Sequence, residues 1–332
     1  MTPSAQSITF GVLGTAEIAR TAVIPGIRAS NHTVEAVASR DGERARAFAE
    51  AESIPRSYGS YVDLLSDEAI DAVYVPLPNG LHAEWTTRAA DAGLDVLCEK
   101  PLAVDAAEAR AVLDHCRDQG VTLMEGYMYR YHPRTERVLA LAAEELADVR
   151  TVTSTFRFPL YDRPGDVRLR PDLAGGSLMD VGCYPVSLAR AVLGDPDRVY
   201  AHSNDTRDAG VDTELAGVLE YEDGRSARVA SGFDTQLVQQ YRIDARNGWI
   251  AVEQAFDAPD DEPVSIEYEI DGRHGVETFD PVDQYRLEVE HFADCVATDG
   301  SPRTDGEAAI ATMRVLDALS DSAAEGCAVD VE

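Results

Sequence analysis

The chain has 332 residues, of which 45% are hydrophobic and 27% charged, a size and composition that predict two globular domains. Its formal net charge of −31 makes nucleic acid and anionic membranes unfavourable partners and indicates a surface adapted to very high salt, as in halophiles. No apolar run reaches about 18 residues, and Met1–Thr9 lacks the pattern of a signal peptide, so we expect a cytoplasmic protein without membrane contact.

Strands alternate with helices over the first part of the chain. The predicted strands are 8–13, 33–39, 69–76, 94–98 and 121–125, and the predicted helices are 17–29, 42–52, 81–92 and 105–119. Such alternation predicts a parallel sheet with helices on both faces. We therefore predict a Rossmann dinucleotide-binding domain over residues 1–126.

The pattern changes after residue 126. The predicted strands are 149–158, 198–203, 213–221, 226–232, 241–245, 249–252 and 264–269, and the predicted helices are 177–193, 284–297 and 306–323. A polar loop is predicted over 159–175 and an acidic surface turn over 257–263. The fold class is therefore α/β, and residues 127–332 are predicted to form an α+β domain with a large, mostly antiparallel sheet.

The first predicted strand ends in a segment where a dinucleotide fingerprint would place its glycines. Gly14 suits a tight turn, Ala16 is small enough for a pyrophosphate, and Ala19 permits close packing of helix and strand. Phosphates would bind the free amides at the helix start. An ordinary strand–helix turn is the alternative. The predicted cofactor residues here are Gly14, Thr15, Ala16, Glu17 and Ile18.

The end of the second strand indicates which dinucleotide binds. Ser39 and Arg40 stand there, and Arg44 follows one helical turn later. A hydroxyl and two guanidinium groups suit a 2′-phosphate, whereas NAD sites usually have an acid at this place. We therefore predict NADP over NAD. Asp41 weighs towards NAD, and a solvated surface charge is the alternative role of Arg40.

Further candidate cofactor-binding residues follow the third and fourth predicted strands, at the sheet edge where ligands bind. The residues concerned are Leu77, Asn79, His82, Glu99 and Lys100. Helix capping is the alternative role of Asn79 and His82. Of the 29 basic residues, 28 are arginine and Lys100 is the one lysine. Because arginine cannot replace a compact ammonium of adjustable pKa, Lys100 is predicted to carry chemistry.

Asp180 and Tyr184 lie four residues apart on the predicted helix that opens with Gly-Gly-Ser. In an α-helix this spacing places both side chains on one face. An acid and a phenol facing Lys100 would form a proton-transfer group, in which the ammonium lowers the pKa of the tyrosine. A core tyrosine with a satisfied hydroxyl is the alternative.

These segments together resemble the Gfo/Idh/MocA oxidoreductase family over nearly the whole chain. The resemblance is carried by the fingerprint at 14–19, the Pro-Asn-x-x-His loop at 78–82, Glu-Lys-Pro at 99–101 and the segment 175–184. The segment 124–133 is similar to one branch of that family, which holds NADP-dependent D-xylose 1-dehydrogenases and dimeric dihydrodiol dehydrogenases.

The resemblance implies roles for individual residues. Tyr184 would be the acid/base, where many relatives have histidine, and Lys100 would contact the reacting hydroxyl and the nicotinamide ribose. Asp180 would orient the substrate, and Pro101 would follow a cis peptide. The residues expected to line the cofactor are Asn79, His82 and Glu99, and those expected near the nicotinamide or substrate are Arg130 and Arg168.

The predicted reaction is NADP-dependent oxidation of an aldose at C1 to the lactone, with D-xylose as the preferred candidate. No metal is expected, because the lysine supplies the stabilising positive charge. The alternatives are another sugar or dihydrodiol oxidoreductase on the same scaffold, and a non-catalytic, dinucleotide-binding sugar sensor. The resemblance also implies a homodimer or homotetramer that pairs through the C-terminal sheet.

Overall fold

The computed structural model describes residues 7–161, 163 and 165–332. The first six residues of Met1–Thr9, and positions 162 and 164 of the predicted polar loop, lie outside the described residues. The chain forms two compact units, Met1–Met128 with Asp283–Ala309, and Tyr129–Val282 with Ile310–Glu332. The first unit therefore includes the segment Asp283–Ala309, which the sequence analysis placed in the second domain.

The strands of the described residues agree closely with the predicted ones, with three additions. They are β1 (Thr9–Leu13), β2 (Thr33–Ala38), β3 (Arg56–Tyr58), β4 (Ala72–Val75), β5 (Asp95–Glu99), β6 (Leu123–Gly126), β7 (Val149–Arg157), β8 (Arg198–Asn204), β9 (Glu214–Glu220), β10 (Ser226–Gly232), β11 (Val238–Ala245), β12 (Gly248–Glu253), β13 (Val264–Ile270), β14 (Arg273–Phe279) and β15 (Val329–Asp330). The additions are the short strands β3 and β15 and the exposed strand β14.

The helices also follow the prediction, apart from two that the sequence analysis did not identify. They are α1 (Ile24–Ala29), α2 (Gly42–Ala51), α3 (Tyr61–Leu65), α4 (His82–Asp91), α5 (Ala106–Gln119), α6 (Pro133–Glu144), α7 (Cys183–Leu193), α8 (Gln284–Thr298) and α9 (Gly306–Glu325). The two additions are α3 and α6. Helices α1 and α7 are each preceded by a π-helical turn, Ala19–Val23 and Leu178–Gly182 respectively. Among the described residues, no helix combines the length and apolar character that crossing a membrane requires.

The sheet of the first unit is fully parallel, with the order β3-β2-β1-β4-β5-β6. This confirms the predicted Rossmann topology. From β1 the chain order runs outward in one direction through β2 and β3 and in the other through β4, β5 and β6. Folds of this type bind ligands at the point between β1 and β4 where the order reverses. The central strands β1, β4 and β5 are largely buried on both faces, as expected for a parallel sheet between helices.

The segment Asp283–Ala309 packs on this sheet through specific contacts. The ring of Phe292 on α8 lies 5.8 Å from the ring of Phe10 on β1. Beside β6, the amide of Glu125 donates to the carbonyl of Thr304 (3.0 Å), and the Thr304 hydroxyl donates to the Glu125 carbonyl (2.6 Å). The segment is therefore part of the first hydrophobic core.

The sheet of the second unit has the order β14-β13-β12-β11-β7-β10-β9-β8-β15 in the described residues. Strands β7 and β10 run parallel and the other neighbours antiparallel, which confirms the predicted large, mostly antiparallel sheet. Buried and exposed residues alternate along β8 and β9, so one face of the sheet forms the core. Gly217 lies where a Cβ would come within 2.7 Å of Leu319 on α9, which packs against this face.

Candidate functional site

The turn after β1 has the geometry that a dinucleotide fingerprint requires. Gly14 has a φ of +115°, and a Cβ there would lie 3.0 Å from the Leu77 side chain. Its amide donates to the carbonyl of Ala38 on the neighbouring strand (2.8 Å). Ala16 is half-buried and Ala19 is fully buried. Small residues therefore occupy the three positions at which the motif needs close approach.

The end of β2 combines two exposed arginines with a helix cap. The carboxylate of Asp41 accepts a hydrogen bond from the amide of Arg44 (3.2 Å), and so caps α2. Ser39 is buried, and its hydroxyl accepts from the Asp41 amide (3.2 Å). Burial raises the pKa of Tyr61, while the nearby charges of Arg40 and Arg44 lower it in part. The acid that weighed towards NAD is thus a helix cap, beside two guanidinium groups.

His82 connects the two loops at the carboxyl edge of the sheet. It is 1% exposed, with Nδ1 2.7 Å from the Pro101 carbonyl oxygen and Nε2 2.6 Å from the Leu77 carbonyl oxygen. Burial lowers its pKa, and the charge of Lys100 lowers it further. The imidazole lies beneath the loops, so it would support a ligand indirectly. Asn79 is half-buried in the turn before α4.

Lys100 is half-buried and directly follows Glu99, the last residue of β5. The peptide between Lys100 and Pro101 is cis, as the resemblance implied. The adjacent Glu99 accepts a hydrogen bond from the hydroxyl of the fully buried Tyr74 (2.7 Å). Burial raises the pKa of Glu288, which is 1% exposed, and the negative charge of Glu99 adds to this effect. The sole lysine therefore follows a carboxylate that is held by a buried phenol.

In the second unit, Arg168 and Asp180 form an ion pair. Nε of Arg168 donates to Oδ2 of Asp180 (2.7 Å), and Nη1 contacts Oδ1 of Asp166 (3.2 Å). The Asp180 side chain is 13% exposed and the arginine side chain 39%. The negative charge of Asp180, and then that of Asp166, raises the pKa of the guanidinium. Asp180 lies inside the π turn, and Tyr184 lies in α7, which follows that turn.

Tyr184 is held in an aromatic cluster. Its side chain is 4% exposed, and its ring centroid lies 5.8 Å from that of Tyr129 and 5.4 Å from those of Phe156 and Phe256. Burial raises the pKa of Tyr129, and the charge of Arg130 lowers it in part. The ring of Tyr184 is thus fixed by packing, and Arg130 acts on its neighbour.

Comparison with known proteins places the chain in a family. Residues 8–127 match the model of an oxidoreductase family with an NAD-binding Rossmann fold, and residues 139–251 match the GFO/IDH/MocA C-terminal domain. The chain belongs to the Gfo/Idh/MocA oxidoreductase family.

Relatives of this Gfo/Idh/MocA protein include enzymes that act on sugars. It is 54% identical to D-xylose 1-dehydrogenase (NADP(+)) 2 of Haloferax volcanii, over 97% of this chain and 99% of that protein. A 3-ketoreductase of Actinomadura kijaniata, solved with NADP and TDP-benzene, is 31% identical with a TM-score of 0.90, covering 96% and 98% of the two chains. An aldose–aldose oxidoreductase of Caulobacter crescentus, complexed with glycerol, is 28% identical with a TM-score of 0.90, covering 98% and 100%.

The structure distributes the expected Gfo/Idh/MocA site residues over the two units. The first unit holds the fingerprint, Ser39 with its arginines, and Lys100, whereas the second holds the ion pair and the aromatic cluster. Two residues that contact these groups, Asp166 and Tyr129, were not among the predicted site residues. Tyr129 lies within the segment 124–133 that carried the branch resemblance, which was the available signal. Asp166 stands in a polar loop, and only its contact with Arg168 distinguishes it.

Proposed function

We propose that this protein is an NADP-dependent sugar dehydrogenase that oxidises an aldopyranose at C1, with D-xylose as its substrate. The observation that carries the proposal is the 54% identity to a D-xylose 1-dehydrogenase (NADP(+)), over 97% of the chain. The alignment covers nearly the whole chain and therefore both of its family domains, residues 8–127 and 139–251.

The residues after β2 fit NADP. Arg40 and Arg44 are exposed on the segment that begins α2, and Ser39 adds a hydroxyl beside them. Two guanidinium groups can bind a 2′-phosphate through paired hydrogen bonds. Asp41, which would disfavour a phosphate, has one carboxylate oxygen engaged by the amides at the start of α2. NADP, when bound, supplies the acceptor for the hydride that leaves C1.

We assign the proton transfer to Tyr184 and the stabilising charge to Lys100. A phenol has a pKa of about 10 in water, so it needs a neighbouring cation to act as a base near neutrality. The ammonium of Lys100 would provide that charge and would stabilise the alkoxide that develops on the sugar. The assignment of both residues to one reaction rests on the family resemblance.

Asp180 would orient the sugar by accepting hydrogen bonds from its hydroxyl groups. An isolated carboxylate near Tyr184 would raise the pKa of the phenol. Less phenolate would then be present near neutrality to accept the proton. The pairing of Asp180 with Arg168 at 2.7 Å compensates that charge. The arginine therefore lets an acid contribute hydrogen bonds without opposing deprotonation of the tyrosine.

The decisive experiment compares NADPH formation by wild type, Lys100→Arg and Tyr184→Phe with a panel of pentoses and hexoses in molar salt. Arg46→Lys, at an exposed position, is the matched control for exchanging the two cations. We expect D-xylose to be oxidised fastest, and both site variants to lose activity by about 100-fold or more, whereas the control stays unchanged. Tight NADP binding without turnover of any sugar would instead indicate the sensor function.

We further propose that two copies pair through the outer face of the second sheet. Five cross-strand neighbours run across this face in one row, namely Arg242, Thr153, Arg228, Val218 and Tyr200. These five residues include no acid, although the chain carries a net charge of −31 and the row continues through Ala251 to Glu267 on β13. The acidic surface elsewhere on the protein would repel a second copy. These five residues therefore suit the close approach of two copies.

Light scattering after gel filtration tests the pairing. Val218→Glu should convert the dimer to a monomer, because it places an acidic side chain within the row, on an interface between two acidic proteins. Val62→Glu, at a 47% exposed position on α3, is the matched control and should leave the mass unchanged. A monomeric wild type would refute the proposal.

A further inference from the structure

Asp212 binds the start of the helical segment that carries Asp180. It lies between β8 and β9, and its Oδ2 accepts hydrogen bonds from the Ser177 hydroxyl (2.6 Å) and the Leu178 amide (2.8 Å). Its backbone carbonyl also accepts from the Ser177 amide (2.8 Å). Ser177 is fully buried and shares a further hydrogen bond with Ser231 on β10 (2.9 Å). Three hydrogen bonds thus join one aspartate to Ser177, which caps the π turn, and to Leu178, its first residue.

Close packing surrounds this hydrogen-bonded group. A Cβ on Gly176 would lie 2.3 Å from Oδ1 of Asp212, and the φ of Gly176 is +115°. At the other end of the turn, a Cβ on Gly182 would lie 3.1 Å from Oγ of Ser231 and 3.1 Å from the Leu178 side chain. Glycines at both ends of the π turn therefore pack closely against the hydrogen-bonded group of Asp212, Ser177 and Ser231.

A π turn depends on such external contacts. Its i→i+5 hydrogen bonds are less favourable than those of an α-helix, so it is rare and occurs mostly as a single turn at functional sites. Relaxation to α-helix would rotate one side of the turn by about 100° relative to the other, the angle of one residue. Asp180 lies inside the turn and Tyr184 follows it, so this rotation would change how the two side chains are placed.

We propose that Asp212 is a positioning residue of the dehydrogenase reaction, because it holds the π turn in the register that places Asp180 and Tyr184. This inference rests on the proposed function for its catalytic consequence. Its structural part, the stability of the turn, is independent of the substrate.

The kinetic test uses Asp212→Asn and Ser177→Ala in the full chain. Asp105→Asn is the matched control, since Asp105 caps α5 by accepting from the Glu108 amide (2.7 Å) and belongs to the first unit. We expect kcat for D-xylose to fall about 10- to 100-fold in Asp212→Asn, and less in Ser177→Ala, with the KM for NADP unchanged. The isotope effect with C1-deuterated D-xylose should rise as the chemical step becomes slower. The control should change neither quantity.

Hydrogen exchange provides a readout that needs no substrate. Peptides covering 177–186 should exchange faster in Asp212→Asn and Ser177→Ala than in wild type, and Asp105→Asn should leave them unchanged. If wild type does not oxidise D-xylose, the proposed function fails, and the exchange result still decides the role of Asp212. Unchanged exchange, or faster exchange with an unchanged kcat in an active enzyme, would overturn the inference. Ser177→Ala carries the test if Asp212→Asn does not fold.

Discussion

Asp212 should make the stability of the protein depend on pH in a direction unusual for an aspartate. Burial raises the pKa of its carboxyl to about 6, against the hydrogen bonds from Ser177 and Leu178 that lower it. The unfolded chain has a value near 3.9. Since the folded state holds the proton more tightly, this group contributes stability that is fully present below about pH 4 and is lost as the pH rises through about 6. The difference of about two units between the folded and unfolded pKa values corresponds to at most about 3 kcal/mol of unfolding free energy. Solvent screening reduces this figure, because the residue is only half-buried.

The measurement is urea unfolding of wild type and Asp212→Asn between pH 4 and 7 in constant molar salt. Tryptophan fluorescence reports the second unit, which holds Asp212 and Trp249, when Trp85 of the first unit is replaced by Phe in both proteins. Other titrating groups act on both proteins and cancel in the difference. Relative to the variant, wild type should lose about 1–2 kcal/mol of unfolding free energy as the pH rises over this range. A difference that is constant with pH, or that grows in favour of wild type, would refute the reasoning.

Three further substitutions test single contacts. Gly176→Ala should destabilise the fold by about 2–4 kcal/mol, because a positive φ coincides with a carboxylate oxygen 2.3 Å from the new Cβ. The control is Gly120→Ala, where φ is +71° and the new Cβ meets open space, so it should cost only about 1 kcal/mol. If both variants lose the same stability in thermal unfolding, the clash with Asp212 is excluded. Arg134→Met should cost about 2–4 kcal/mol in urea unfolding, because the buried guanidinium of Arg134 donates to the carbonyls of residues 253, 254 and 255. The control is Arg137→Met, which removes a surface ion pair and should cost about 1 kcal/mol or less. Arg168→Met should lower kcat about tenfold at an unchanged KM for NADP in steady-state assays, and an unchanged kcat would contradict the proposed charge compensation.

Much of the fold follows from local patterns of the sequence. The parallel sheet was predictable because each strand of that sheet apart from β3 is an apolar run between helical segments. β3 escaped prediction because it has three residues of mixed polarity, which show no periodicity. β14 is polar and largely exposed, yet a signal for it was present. Asp271 and Gly272 both have positive φ and join β13 to β14 as the Asp-Gly turn of a hairpin.

The candidate site residues were proposed from the sequence, whereas the contacts between them come from the structure. Lys100 could be identified because it is the only lysine, and it stands at the sheet edge where ligands bind. The pairing of Arg168 with Asp180 depends on the path of a loop, which no residue pattern encodes. The two π turns were also missed, since hydrophobic periodicity does not distinguish them from α-helix. Asp41 could cap a helix or bind ribose, and only the amide contacts separate the two roles.

The return of α8 to the first unit has a consequence for synthesis on the ribosome. The first sheet is complete in sequence at Gly126, but the ring that packs on Phe10 and the threonine that pairs with Glu125 are translated much later. Until then, a nascent first domain would present uncovered apolar surface, which favours aggregation or chaperone binding. Exchanging this domain between related proteins would accordingly need two transplanted pieces, because a single crossover near residue 128 would separate the sheet from the helix that covers it.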